Sequence, residues 1–324
     1  RQGLKVLKRK SNLGLKTLIE VCNIESSLTA YHLGYILGPR INAGGRVGKS
    51  THGANLLLNK SPKKAFMLAA DLNIYNEERK ILESELLSKI LNTDYKNSAD
   101  PVVILYGKNW HEGVIGIIAA RVKDKFNKPT IIISINNGIG KGSGRSIHGF
   151  DLGSVIIGAV QQGLLVKGGG HKMAAGFTIN INKINEFKEF VFRKFKSINV
   201  NLEEKKNYYF DVEIAPSAVN INFFDKINLL APFGSGNPEP RFKIKNVKLV
   251  NSRIIASKHI KIVLIGSDST TLKAICFNSV ETDLGSYLLK KNSKPFDIVG
   301  KLSLNEWRGQ KNVEFIIDDI SVTK

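Results

Sequence analysis

The spacing of apolar residues changes character along the chain and divides it into a helical, a mixed and a strand-rich part. Residues 1 to about 60 read as short helices. The apolar stretch that closes with Gly34-Tyr-Ile-Leu-Gly38 is stopped by Pro39, and a loop of small and basic residues follows. Ser61-Pro62 is a helix start, a capping hydroxyl followed by proline at the first helical position. From Lys63 to Asn92 the pattern stays helical, with Ala65, Leu68, Ala69, Leu72, Leu82, Leu86 and Ile90 near one face. About thirty residues at about 1.5 Å each make a rod of about 45 Å. Its length and charged middle, Asn76-Glu-Glu-Arg-Lys80, favour a helix joining two domains over an ordinary core helix.

A new domain is predicted from near Ala99. Val102–Tyr106 and Thr130–Ile135 are buried-strand runs separated by a helical Val114–Phe126. Helices are expected at Asp151–Gln162 and Asn182–Phe195, with a strand near Phe177–Ile181, and this alternation predicts an α/β sandwich. A polar stretch, Asn199–Asn207, bounds it. Beyond lie six strand-like runs, Tyr208–Ile214, Arg241–Ile255, His259–Ile265, Thr271–Phe277, Phe296–Leu304 and Val313–Ile320, whose spacing suits a small β-barrel.

Composition narrows the function. A hydrophobic content of 42% supports packed cores and argues against a largely disordered chain. Lys and Arg outnumber Asp and Glu by 48 to 28, a formal charge of +20, which fits a polyanionic partner such as nucleic acid or, equally, a generally basic protein. Cys22 and Cys276 stand far apart without metal-like spacing and read as small hydrophobes in a reducing, cytoplasmic setting. Neither a membrane-length apolar run nor a signal-peptide pattern is present. The opening at Arg1, within what looks like mid-helix, is expected to belong to the carboxyl-terminal part of a longer protein.

Three glycine-rich basic runs carry the candidate chemistry. Gly44-Gly-Arg-Val-Gly-Lys-Ser50 misses the spacing of a nucleotide-binding phosphate loop and has no strand before it. What remains there is Arg40 and Arg46 beside a flexible loop, two planar forks suited to phosphate oxygens. Gly138–Gly144 alternates glycine with other residues and delivers Ser143, Arg145 and Ser146, either as a mobile turn before a short strand or as a cradle for phosphate. Gly168-Gly-Gly-His171 places an imidazole behind three glycines and before a small-residue helix start. There His171, with Gly169 and Gly170, is expected to contact substrate, donating to a phosphate oxygen or stabilising developing charge. The other histidines, His32, His52, His111, His148 and His259, form no close pair of the kind zinc requires, and no metal ligands are assigned.

In this order, the runs resemble the RecJ family of single-strand-specific exonucleases, within the DHH phosphoesterase superfamily. Gly38–Arg46 is similar to the last motif of the family's catalytic domain, and Asn109-Trp-His-Glu-Gly-Val-Ile-Gly116 to the opening of its DHH-associated domain. Ser143–Ser146 and Gly169–Gly176 resemble that domain's two site motifs, and Leu230–Pro240 and Ser303–Trp307 its OB-fold signatures. The resemblance implies an α/β plus all-β architecture. Residues 1–60 would be the end of the DHH domain, 61–97 a connecting helix, 98–200 the DHH-associated domain and 205–324 an OB-fold barrel.

It also implies 5′-to-3′ degradation of single-stranded DNA with manganese or magnesium, in recombination and repair, with a helicase or single-strand-binding protein as candidate partner. Arg40 and Arg46 would face the cleft, Ser143 and Arg145 would grip a phosphate at the 5′ end, and His171 would meet the phosphate under attack. Trp307, unless it is a core residue, and the basic strands of the barrel would contact the strand. The family's Asp-His-His metal motifs do not occur here, so the metals are expected from a segment preceding this one, and the chain alone to bind DNA and cleave it poorly. Two readings remain beside this one: a non-catalytic single-stranded-DNA-binding module, and a phosphoesterase of short oligonucleotides.

Overall fold

The computed structural model describes residues 1–25, 28–92, 100–198, 207–290, 294–307 and 310–322, the Trp307 side chain excepted. The chain forms two compact units, Gln2–Glu204 and Lys205–Lys324, the latter with Arg1.

The first unit begins with helices α1 (Gln2–Lys8), α2 (Leu13–Val21), α3 (Gly38–Val47), α4 (His52–Leu58) and α5 (Pro62–Leu91). The Gly38–Arg46 run, expected to be a loop, is helical. A π-helical stretch, His32–Leu37, leads directly into α3 with Pro39 in its first turn. The widened turn admits the proline ring that a regular helical turn would exclude. Ser61 precedes α5 as expected, but its hydroxyl makes no cap; instead, its N–H donates to Asn59 Oδ1 at 2.8 Å.

Helix α5 serves two cores. Ala65, Ala69 and Leu72 pack with Leu18, Ile19, Leu37 and Leu56 of the helical part. Leu86 and Ile90 join Val103, Ile118 and Ile132 of the α/β part. Between them Glu83 is buried and pairs with Arg79 (2.7 Å) and with Arg121 of the next helix.

The α/β part has five strands in the order β1-β2-β3-β5-β4: β1 (Val103–Lys108), β2 (Thr130–Asn136), β3 (Ile139–Arg145), β4 (Lys167–His171) and β5 (Ala174–Asn180). Strands β1 and β2 are parallel across helix α6 (Glu112–Phe126), and the other pairings are antiparallel. On one sheet face, α6 covers Val103 and Ile132. The opposite face packs Ile131, Ile133, Phe177 and Ile179 against α7 (Leu152–Gln161) and α8 (Ile184–Ser197).

Two glycine runs prove to be strands. Gly140, Gly142 and Gly144 lie on the α7/α8 face of β3, where Ile179, Phe177 and Leu152 respectively occupy the space a β-carbon would need. Their alternation reflects side-chain packing across a strand rather than a mobile turn. The run ending at His171 is strand β4 and turns back at Lys172-Met173 into β5, so no helix starts there.

The second unit holds β6 (Val212–Glu213), α9 (Ile221–Asn228), β7 (Phe242–Ile255), β8 (His259–Ile265), β9 (Thr271–Cys276), α10 (Asp283–Leu289), β10 (Phe296–Trp307) and β11 (Gln310–Val322). Strands β7-β8-β9-β11-β10 close into a five-stranded barrel through a β10–β7 pairing. Alternate residues, among them Ile260, Ile262, Leu264, Leu272 and Ala274, fill its interior with Phe242, Phe296 and Phe315. Five of the six expected strands agree with the observed ones to within a few residues. The first, Tyr208–Ile214, shrinks to β6, while α9 and α10 were not foreseen.

Candidate nucleic-acid interface

Antiparallel register arranges the candidate residues as a grid, because directly paired residues share a sheet face. Arg145 pairs with Ala174, and Ala174 with His171. Ser143 pairs with Gly176, and Gly176 with Gly169. Lys141 pairs with Thr178, and Thr178 with Lys167. All nine lie on the face that α6 covers at β2. Toward β4 that face is open: Gly169 and Gly176 present only backbone, and His171 and Lys167 are exposed. The result is a shallow floor of glycine with Arg145 and His171 along one border and Lys141 and Lys167 along the other.

Helix α6 and the end of α3 build the wall. A β-carbon on Gly116 would lie 3.0 Å from Ser143 Oγ and 3.1 Å from Arg145 Nη2, so the helix presses directly on both site residues. One turn earlier, a β-carbon on Gly113 would fall on the Arg46 carbonyl oxygen. Arg46 Nη1 donates to the Gly113 carbonyl at 3.2 Å. Arg145 Nη1 donates to Ser143 Oγ at 3.3 Å and to the Gly144 carbonyl at 2.8 Å.

Burial first, and then the charge of Arg46, pull Arg145 below the ordinary guanidinium value. Among the described residues neither arginine has a carboxylate partner, whereas Arg79, Arg121 and Arg241 do. Two neighbouring cations held without an acid form a site whose favourable partner is an anion.

Not every candidate joins this group. Arg40 lies on another side of α3, with Nε donating to Asn73 Oδ1 (2.8 Å) and Nη1 to the Ile36 carbonyl (2.9 Å), and it ties α3 to α5. Ser146 is buried and its hydroxyl donates to the Phe150 carbonyl at 2.6 Å. Both have structural partners instead of an open face. Gly170 belongs to β4 but lies on the opposite sheet face from His171, against Ala175. Gly113 and Gly116, which stand in the Asn109–Gly116 run, and Lys141 and Lys167 are not among the contact residues expected from the sequence. A glycine pair three apart inside an otherwise apolar helix was the available signal for the first two.

In the second unit, Lys261 and Lys273 alternate with interior residues and therefore face outward, next to Val263 and Ile275. Phe277 is 49% exposed and meets the His259 ring edge-on at 5.1 Å. The Trp307 side chain, a stacking candidate from sequence, lies outside the described residues.

Comparison with known proteins fits this arrangement. The family model of the DHHA1 domain matches residues 99–197, and that of the RecJ OB domain residues 210–319. The fold is thus that of a DHHA1 domain followed by a RecJ OB domain.

Whole-chain comparison goes further. The single-stranded-DNA-specific exonuclease RecJ of Dickeya dadantii is 31% identical over 98% of this chain and 56% of its own length. For RecJ of Bacillus subtilis the values are 30%, 99% and 41%. Crystal structures of Thermus thermophilus RecJ with Mg2+ and with Mn2+ superpose with TM-scores of 0.83 and 0.82 at 25% and 26% identity. They cover 99% of this chain and 48% and 46% of theirs. The chain is a homologue of the RecJ single-stranded-DNA-specific exonucleases and spans about half the length of the relatives it matches.

Among the described residues, no group of three or more His, Cys, Asp or Glu side chains could hold a metal ion. The residues present therefore do not fit the divalent metal that the Thermus structures contain. No helix is long and apolar enough to cross a membrane.

Proposed function

We propose that this chain is the strand-holding part of a single-stranded-DNA exonuclease, gripping the sugar–phosphate backbone on the open face of the DHHA1 sheet. The observation that carries this reading is the proximity of Arg46 and Arg145 beside Ser143, neither with a carboxylate partner among the described residues, above a glycine floor bordered by His171. Arg145 and Ser143 hold a phosphate, preferentially the 5′-terminal one, and Arg46 neutralises the same group or the next. His171 donates to an oxygen of the phosphate under attack. Lys141 and Lys167 follow the backbone along the other border. Through Lys273 and Phe277 the barrel adds charge and an aromatic surface for bases.

Hydrolysis in the 5′-to-3′ direction during recombination and repair is the activity this face would serve. Its Mg2+ or Mn2+ ligands would lie beyond the described residues, and a helicase or single-strand-binding protein would supply the strand. A second reading, a binding module that acts without hydrolysis, is favoured by the lack of a metal-holding group among the described residues. Manganese-dependent nucleotide release from 5′-phosphorylated single strands, measured with binding in the same samples, separates the two. Binding without release fits the strand-holding role for this chain alone, while failure to bind single strands overturns both readings.

A further inference from the structure

Helix α6 opens with a histidine, His111, whose side chain is the N-cap: the Gly113 N–H donates to His111 Nδ1 at 3.1 Å. A nitrogen that accepts from a backbone N–H carries no proton, so the neutral ring holds its proton on Nε2. The cap thereby fixes both the tautomer and the direction of the ring. His111 is exposed, and Nε2 has no partner among the described residues.

The residue that fixes His111 is the same one that fixes Arg46. Gly113 donates its N–H to the imidazole and accepts Arg46 Nη1 on its carbonyl. One turn further along α6, Gly116 touches Ser143 and Arg145. An oriented Nε2–H donor thus stands at the end of the helix that forms the wall of the phosphate-binding face. Capping alone would not require an imidazole, since serine, asparagine or aspartate caps a helix at least as well.

We infer that His111 is a substrate-positioning residue, its Nε2–H donating to a non-bridging oxygen of a backbone phosphate at the Arg46 end of the face. This rests on the proposed DNA-binding role of Arg46, Ser143 and Arg145. The class of ligand is a phosphodiester strand. The free N–H supplies a hydrogen bond to a charged oxygen, and a neutral donor there adds no third positive charge beside Arg46 and Arg145.

The test uses His111→Ser, which keeps a capping oxygen and removes the distal donor, together with His111→Ala, which removes both, and Arg145→Ala as a reference. Thermal unfolding and affinity for a single-stranded oligonucleotide are measured on the full chain. His111→Ser should unfold like the parent and bind about tenfold more weakly, the scale of one lost hydrogen bond to a charged group. Parent-like binding by His111→Ser, whatever His111→Ala does, would reduce His111 to a cap and overturn the inference. Should Arg145→Ala also bind like the parent, the failure would belong to the proposed interface itself. Weakened Arg145→Ala with an unaffected His111→Ser would refute the role of His111 alone.

Discussion

Arg46 and Gly113 meet so closely that the arginine's carbonyl oxygen occupies the place of the glycine's missing β-carbon, while its guanidinium donates to the glycine's carbonyl. This contact seats the end of α3 on the first turn of α6 and brings Arg46 to Arg145. Gly113→Ala must push the two backbones apart. It is expected to cost about 1–3 kcal/mol, the usual scale of overpacking, and to weaken DNA binding by displacing Arg46. Denaturant unfolding and oligonucleotide affinity, read together, check it; parent-like values in both would mean that the contact is not fixed.

Ser143 and Ser146, one motif on paper, should separate by mutation. Ser143→Ala is expected to leave stability nearly unchanged and to weaken binding. Ser146→Ala leaves the buried Phe150 carbonyl without its donor and is expected to destabilise by about 1–3 kcal/mol with affinity preserved in the folded fraction. The reverse pattern would move the phosphate site across the strand.

Glu83 is enclosed by Arg79 and Arg121, and it joins the long helix to the wall of the binding face. Removing one member of a buried ionic group typically costs about 3–5 kcal/mol. Because Arg121 is 58% exposed at its side chain and therefore partly screened by solvent, Glu83→Ala is expected at or below the lower end of that range. Chemical unfolding provides the number.

The first turn of α7 should respond to acid. Asp151 accepts the Ser154 N–H at 3.1 Å, and this bond above all holds its carboxyl below the ordinary value, with Lys172 adding a smaller charge effect. A depressed folded-state value means the cap's contribution is complete above about pH 4, where the unfolded carboxyl ionises. That contribution is lost as pH falls through the folded value. The Ser154 amide resonance should shift on acidification in the parent, and Asp151→Asn, a comparable cap without a titrating group, should abolish the shift.

Much of this was legible in the sequence. The long helix, the α/β alternation and the barrel strands follow from periodicity, since buried faces impose spacings of about 3.6 or 2 residues. Glycine-rich segments were less readable because local propensity and tertiary packing disagree there. Gly140, Gly142 and Gly144 look like a turn until Ile179, Phe177 and Leu152 are seen packed against them in turn. Gly38–Arg46 looks like a loop until the π-helical stretch before it accommodates Pro39.

Of the residues the sequence singles out, strand register and the α6 glycines bring Arg46, Ser143, Arg145 and His171 to one face. Arg40 and Ser146 could not be separated from them by sequence alone. The Arg40 bond to Asn73 joins residues 33 apart in the chain, and the Ser146 bond to the Phe150 carbonyl depends on a local turn whose burial comes from tertiary packing.

The most direct test of the phosphate-holding face compares otherwise identical single-stranded oligonucleotides bearing a 5′ phosphate or a 5′ hydroxyl. They are bound without divalent metal, over a range of salt, to the parent and to Arg145→Ala. The phosphorylated strand should bind the parent more tightly, and Arg145→Ala should erase that preference and lower the salt slope by about one. Equal affinity of the parent for both strands, or a preference that survives Arg145→Ala, would contradict the account.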